Sequence, residues 1–120
     1  MRKRILVVED SELNRDLLVQ IFEDEYDLEV ATDGAAAVRL AADARPDLIL
    51  MDIGLPELSG LEAVRAIRAS GTDTPIVAVT SRVMPGEREQ ALAAGCDDFV
   101  GKPIDDVQLV AIVDRLLASR

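Results

Sequence analysis

In LILMDIGLPELSG (Leu48–Gly60) a carboxylate, Asp52, directly follows four large apolar residues, with a glycine and then a proline soon after it. A carboxylate ending a segment built for the interior is desolvated at a cost, paired with a cation, or put to use. Other reactive groups end similar runs: Glu9-Asp10 after ILVV, Thr80-Ser81 after IVAV, and Lys102-Pro103 after DFVG. Brought together, three carboxylates repel and raise one another's pKa values until a cation neutralises them, and one lysine is too little charge. A hard divalent ion suits carboxylates and a backbone carbonyl, and Mg²⁺ with retained waters is the natural candidate. Such a partly filled shell admits phosphoryl oxygens, to which Thr80 could donate and which Lys102 could neutralise. Asp52 would then be a nucleophile toward phosphorus, forming an acyl phosphate. Taken singly, each group has a plainer reading: solvated acids in a turn, a hydroxyl opening a loop, a lysine paired with any surface acid. The chemistry depends on whether the fold brings them to one place.

Composition narrows the options. The 120 residues are 49% apolar, enough for one core and too apolar for a disordered chain. The longest apolar runs are far short of the ~20 residues that cross a bilayer, and the apolar part of MRKRILVVED is too short for a signal peptide. A cytoplasmic protein without membrane insertion is expected. Histidine is absent, which removes Ser–His–Asp and Cys–His catalysis, imidazole metal sites and self-contained histidine phosphorylation. A single cysteine, Cys96, precludes an intrachain disulfide or a structural zinc cluster. The net charge of −10 argues against nucleic-acid binding.

The elements that must position these groups alternate along the chain. Strand-like runs occur at Arg4–Val8, Leu28–Ala31, Leu48–Met51, Pro75–Val79 and Asp98–Gly101. Between them, Glu12–Glu25 puts Leu13, Leu17, Ile21 and Phe22 on one side of a helix, Gly34–Ala44 is alanine-rich, and Leu61–Ala69 spaces Leu61, Val64 and Ile67 helically. Ser11, Asp33 and Ser59 stand where helix caps belong, and Gly71 and Gly95 where helices end. The first, third and fourth strands are continuously apolar, as when both faces are covered, whereas LEVA alternates as an edge strand does. The pattern predicts one domain over residues 1–120: an α/β fold with a doubly wound, five-stranded parallel sheet in the order 2-1-3-4-5, flavodoxin-like. In such a sheet ligands meet the carboxyl ends of the strands beside the first strand. Glu9, Asp10, Asp52, Thr80 and Lys102 all fall on that edge.

With ILVVED, PDLILMDIGLPELSG, PIVAVTS and AGCDDFVGKPI in this order, the chain resembles a response-regulator receiver domain of the stand-alone CheY-like kind, from about residue 3 to the C-terminus. The resemblance implies that Asp52 is the phosphoacceptor. Asp10 would bind Mg²⁺ directly, Glu9 through water, and Asp52 and the Gly54 carbonyl would complete the protein's share of the shell. Thr80 matches the switch hydroxyl and Lys102 the phosphoryl-binding lysine, with a cis Lys102–Pro103 bond. The donor would be a phosphohistidine on a sensor histidine kinase or histidine phosphotransfer protein, which suits a chain without histidine. Gly54 and Arg82 match positions that tune dephosphorylation. Phe99 matches the aromatic switch residue, here without a hydroxyl, which would rotate inward as Thr80 is drawn to the phosphate. The resemblance implies a signalling domain that assists only its own phosphotransfer and autodephosphorylation, not an enzyme with a separate substrate.

The chain ends soon after the last helix, so output is expected through a protein contact or a phosphoryl relay or sink. In that helix Leu109, Val110, Ile112, Val113, Leu116 and Leu117 span roughly 160°, against about 100–120° needed to pack on a sheet. The surplus fits a generously apolar core helix. It also fits a partner or weak homodimer surface shared with Phe99 and the fourth helix, about residues 85–94. Rival classes fit less well. A dehalogenase-like phosphohydrolase wants a second Asp at position 54, which is Gly, and a dinucleotide-binding turn wants G-x-G-x-x-G where EDSELN stands. A degenerate receiver that binds partners without phosphorylation usually lacks one of the acids, the threonine or the lysine, and all are present here.

Overall fold

Strand and helix alternate throughout the computed structural model, which describes residues 2–55, 59–81 and 85–118. The order is β1 (Arg4–Val8), α1 (Glu12–Phe22), β2 (Asp27–Ala31), α2 (Gly34–Asp43), β3 (Leu48–Asp52), α3 (Gly60–Ala69), β4 (Ile76–Thr80), α4 (Glu87–Ala94), β5 (Asp98–Gly101) and α5 (Asp106–Ala118). All pairings are parallel and the sheet order is β2-β1-β3-β4-β5, as the sequence pattern predicts.

The period of two along each strand sorts the core into two layers. Leu6, Val8, Ile49, Met51, Ala78 and Phe99 face α2, α3 and α4, meeting Ala37, Ala41, Ala63, Val64, Ile67, Ala91 and Ala94. Ile5, Val7, Leu48, Leu50, Val77, Val79 and Val100 face α1 and α5, meeting Leu18, Phe22, Leu109, Val113 and Leu117. All five residues of β3 and of β4 are buried, which explains their unbroken apolar sequences. At the edge, β2 buries only Ala31 fully, and Val30 stays 40% exposed.

Local signals start the helices where expected. Ser11, Asp33 and Ser59 accept hydrogen bonds from the N–H groups of Asn14, Ala36 and Glu62. Two sequence readings need correction. Helix α1 ends at Phe22 rather than near Glu25, because the Tyr26 N–H folds back onto the Phe22 carbonyl and turns the chain into β2. Its inward side is Leu18 and Phe22, with Ile21 half-buried, whereas Leu13 and Leu17 are 80% and 40% exposed. The helix is rolled about its axis so that Leu18 and Phe22, one turn apart, meet both the sheet and α5. In α5 the wide apolar arc is resolved: Leu109, Val113 and Leu117 are buried, and Val110, Ile112 and Leu116 are partly buried around the same layer.

Away from the strands' carboxyl ends, Arg68 ties three segments together. Its guanidinium donates to the carbonyls of Gly95 (2.9 Å), Thr72 (3.0 Å) and Thr74 (2.7 Å) and to Asp97 Oδ2 (3.0 Å). The same Asp97 oxygen accepts the Ile76 N–H at 2.8 Å. Gly95 has φ +121°, and a Cβ there would lie 2.7 Å from Arg68 Cγ, so glycine serves both the helix end and the arginine's approach. Arg68→Ala takes a donor from four acceptors, of which Asp97 keeps the Ile76 N–H, and we expect a loss of about 2–4 kcal/mol in urea denaturation. A loss indistinguishable from zero would mean that these bonds merely replace equivalent bonds to water.

Candidate functional site

The rim at the carboxyl ends of β1, β3, β4 and β5 is built by backbone bonds that continue just past the strands. The Glu9 N–H donates to the Ala31 carbonyl (3.0 Å), the Ile53 N–H to the Val79 carbonyl (3.2 Å), and the Lys102 N–H to the Thr80 carbonyl (2.7 Å). These bonds carry the sheet ladder past the strand ends and hold Glu9, Ile53 and Lys102 in the rim. The helix that follows β3 presses on the same place. A Cβ on Gly60 would lie 2.2 Å from the Asp52 carbonyl oxygen and 2.6 Å from Ile53 Cα, so only glycine lets α3 start there.

Glu9, Asp10 and Asp52 each offer a carboxylate oxygen, all within 4.8 Å of one another. Glu9 and Asp52 are 1% and 6% exposed, and Asp10 is open to solvent. The Lys102 ammonium sits 2.7 Å from Glu9 Oε1 and 3.7 Å from Asp52 Oδ2, so its primary partner is Glu9. The other Glu9 oxygen accepts the Ser11 N–H at 3.3 Å, and Asp52 Oδ1 accepts the Gly54 N–H at 2.9 Å. Thr80 is 1% exposed at the end of β4, and the Lys102–Pro103 peptide bond is cis. Phe99 is 8% exposed and packs in the layer that contains Ala78, Ala91 and Ala94. By strand parity Thr80, two residues after Ala78, is on that same face. Arg82 lies outside the described residues.

Burial pushes the Asp52 carboxyl up to about 6, the neighbouring Glu9 adds to the rise, and the Gly54 N–H and Lys102 only partly oppose it. The donor set is all oxygen, anionic and crowded, and it carries one nearby ammonium; this is the chemistry that a hard divalent cation satisfies. Cys96 is buried in the core and its thiol is pushed up to about 12 by desolvation, which keeps it protonated and unreactive.

Two contributors were not anticipated from sequence. Gly60 had a signal, because glycine is a poor helix former and here opens a helix. Arg15 had none. It sits one turn into α1, and its Nη1 donates to the carbonyls of Glu9 (3.3 Å) and Asp10 (3.5 Å).

Residues 5–114 match the response regulator receiver domain. The chain belongs to that family, and is thus a receiver domain of the two-component response-regulator type. Among curated relatives it is 40% identical over 118 residues to the response regulator MprA of Mycobacterium sp. strain KMS, covering 98% of this chain and 51% of that protein. With the Mycobacterium leprae protein of the same name it shares 38% identity over 115 residues, 95% of this chain and 50% of that protein. The chain therefore spans about half the length of the curated relatives it matches. Among solved structures, the receiver domain of the sensor histidine kinase PA1611 from Pseudomonas aeruginosa has a TM-score of 0.90 and 37% identity, covering 98% and 99% of the two chains. In that structure a magnesium ion is coordinated in the active-site cleft. The Vibrio cholerae chemotaxis protein CheY4 has a TM-score of 0.89 and 29% identity, covering 97% and 99%, so the fold is CheY-like.

The raised Asp52 pKa has a consequence for stability. A carboxyl that holds its proton more tightly when folded destabilises the fold once ionised: the cost is absent below the ordinary value of 3.8, grows toward about 6, and is full above that. Asp52→Asn should therefore stabilise the metal-free protein at pH 7.5 by on the order of 2 kcal/mol, with the gain shrinking as the pH falls to 4. Urea denaturation in chelator at several pH values measures this. A variant no more stable than wild type at pH 7.5 would mean that Lys102 and the Gly54 N–H fully offset the burial.

Proposed function

We propose that this chain is a phosphoacceptor: Asp52 takes a phosphoryl group from a phosphohistidine on a sensor histidine kinase or histidine phosphotransfer protein, and the modification switches a protein-interaction surface. The observation that carries the reading is the convergence of Asp52, Glu9, Asp10 and Lys102 within a few ångströms at the end of a buried strand. Mg²⁺ held by Asp10, Asp52 and the Gly54 carbonyl, with Glu9 through water, would supply positive charge for the phosphoryl oxygens and for the crowded acids.

The chain's own groups divide the remaining work. An Asp52 carboxylate oxygen bonds to phosphorus as the P–N bond to the donor imidazole breaks, giving an aspartyl phosphate. Asp52 is held for this by the Gly54 N–H on its other oxygen. Lys102, already 3.7 Å from Asp52, neutralises a phosphoryl oxygen, and Thr80 donates its hydroxyl to another. Thr80 and Phe99 lie on one face of neighbouring strands, so movement of the first toward the phosphate vacates space for the second, and the population of an active surface shifts. The same site hydrolyses its own acyl phosphate when water enters in line. Gly54 and Arg82 tune that step; a side chain at position 54 would start 3.6 Å from Asp52 Oδ1.

Output passes through the face of α4, β5 and α5 to a downstream protein target or, weakly, a second copy. There Asp98 of β5 is bridged by Arg88 of α4 (3.6 Å) and Arg115 of α5 (2.6 Å).

Intact-mass measurement after incubation with acetyl phosphate and MgCl₂ tests the reading. One phosphoryl adduct is expected, absent without the metal and absent in Asp52→Asn. After the donor is removed, the adduct on Gly54→Asn should decay at a rate different from wild type. An adduct that persists in Asp52→Asn would place the acceptor elsewhere, and no adduct under any condition would make the chain a phosphorylation-independent binding module.

A further inference from the structure

The turn between β1 and α1 carries two of the three acids, and their carboxylates are held unequally. Glu9 is fixed at both oxygens, by Lys102 and by the Ser11 N–H. Among the described residues no hydrogen bond or ion pair holds the Asp10 carboxylate, which is solvent-exposed. Of Asp10, then, it is the backbone that is held, and this places the root about which the carboxylate turns. That backbone has passed the end of β1, where sheet bonds no longer constrain its carbonyl. Arg15 takes over there: its Nη1 donates to the carbonyls of both Glu9 and Asp10, at 3.3 and 3.5 Å. Arg15 is itself anchored, half-buried, with its own N–H on the Ser11 carbonyl at 2.9 Å.

We propose that Arg15 is a positioning residue for the acidic rim: it clamps the backbone of Glu9 and Asp10, aims the otherwise unheld Asp10 carboxylate at Asp52, and thereby sets the affinity of the rim for Mg²⁺. The proposal rests on the magnesium-binding reading given above. Two physical effects of the guanidinium oppose each other, which makes the idea decidable by sign. As a bare positive charge near three carboxylates it disfavours a second cation, so its removal would tighten Mg²⁺ binding. As a clamp it removes in advance the freedom that Asp10 would lose on coordination, so its removal weakens binding.

The test is a titration of the ¹⁵N-labelled chain with MgCl₂, followed by amide shifts around Gly54, for wild type, Arg15→Lys and Arg15→Met. The spectra report folding at the same time. The clamp predicts dissociation constants in the order wild type, Lys, Met, with Arg15→Met weaker by ~10-fold, the low end for loss of a group that orients metal ligands. Arg15→Lys should fall between, since its ammonium keeps the charge on a side chain one bond shorter and does not reach the position from which Nη1 serves both carbonyls. Binding in Arg15→Met as tight as wild type or tighter, with Arg15→Lys equal to wild type, overturns the clamp. Should Arg15→Met fail to fold, the Lys comparison alone decides: weaker binding supports the clamp and equal binding overturns it. Absence of saturable Mg²⁺ binding in the wild-type chain would instead overturn the magnesium reading, and this proposal with it.

Discussion

Carboxylates do not share a desolvated corner of a protein unless something holds them there. In this chain three lie within 4.8 Å, two of them almost fully buried, beside a single ammonium that favours Glu9 over Asp52. Most of the local architecture serves to keep them in place against their mutual repulsion. The sheet ladder runs one residue past β1 and β3, Gly60 lets α3 close over the Asp52 backbone, and the Gly54 N–H caps one Asp52 oxygen. Burial first, and the neighbouring Glu9 after it, raise the Asp52 pKa beyond what the Gly54 N–H and Lys102 offset. A site left in that condition favours whatever brings positive charge, and that links the geometry to a hard divalent ion.

The two faces of the sheet are not equivalent with respect to the rim. Strand parity places Thr80 and Phe99 on the layer shared with α4, whereas Val79 and Val100, one residue away from each, pack toward α1 and α5. Thr80, at the rim, therefore faces one side of the sheet only. On that side α4 is short and has no side-chain cap at its start, and it reaches β5 through Arg88 and Asp98.

Much of this was legible in the sequence because burial on both faces writes itself into composition. β3 and β4 read as strands since every position is apolar up to the functional residue, and the caps at Ser11, Asp33 and Ser59 announced three helices. The set at the rim could be assembled from the residues at the carboxyl end of each strand. What could not be read depended on partners far apart in the chain. Leu13 and Leu17 match Leu18 in hydrophobicity, so the roll of α1 was decided by its neighbours and not by its own pattern. Arg68, which joins carbonyls on two loops to Asp97, looked like any charged residue on a helix. Arg15 likewise acts through backbone carbonyls, which carry no side-chain identity to search for.

The burial and crowding of Asp52 together are open to direct measurement. Carbon-detected NMR of the side-chain carboxyls, with the Asp52 signal assigned by its loss in Asp52→Asn, gives the titration midpoint of that group. Without divalent ions the midpoint should lie near 6, well above the ordinary 3.8, and it should fall when MgCl₂ is added. A midpoint close to 3.8, or one that magnesium leaves in place, would contradict the account.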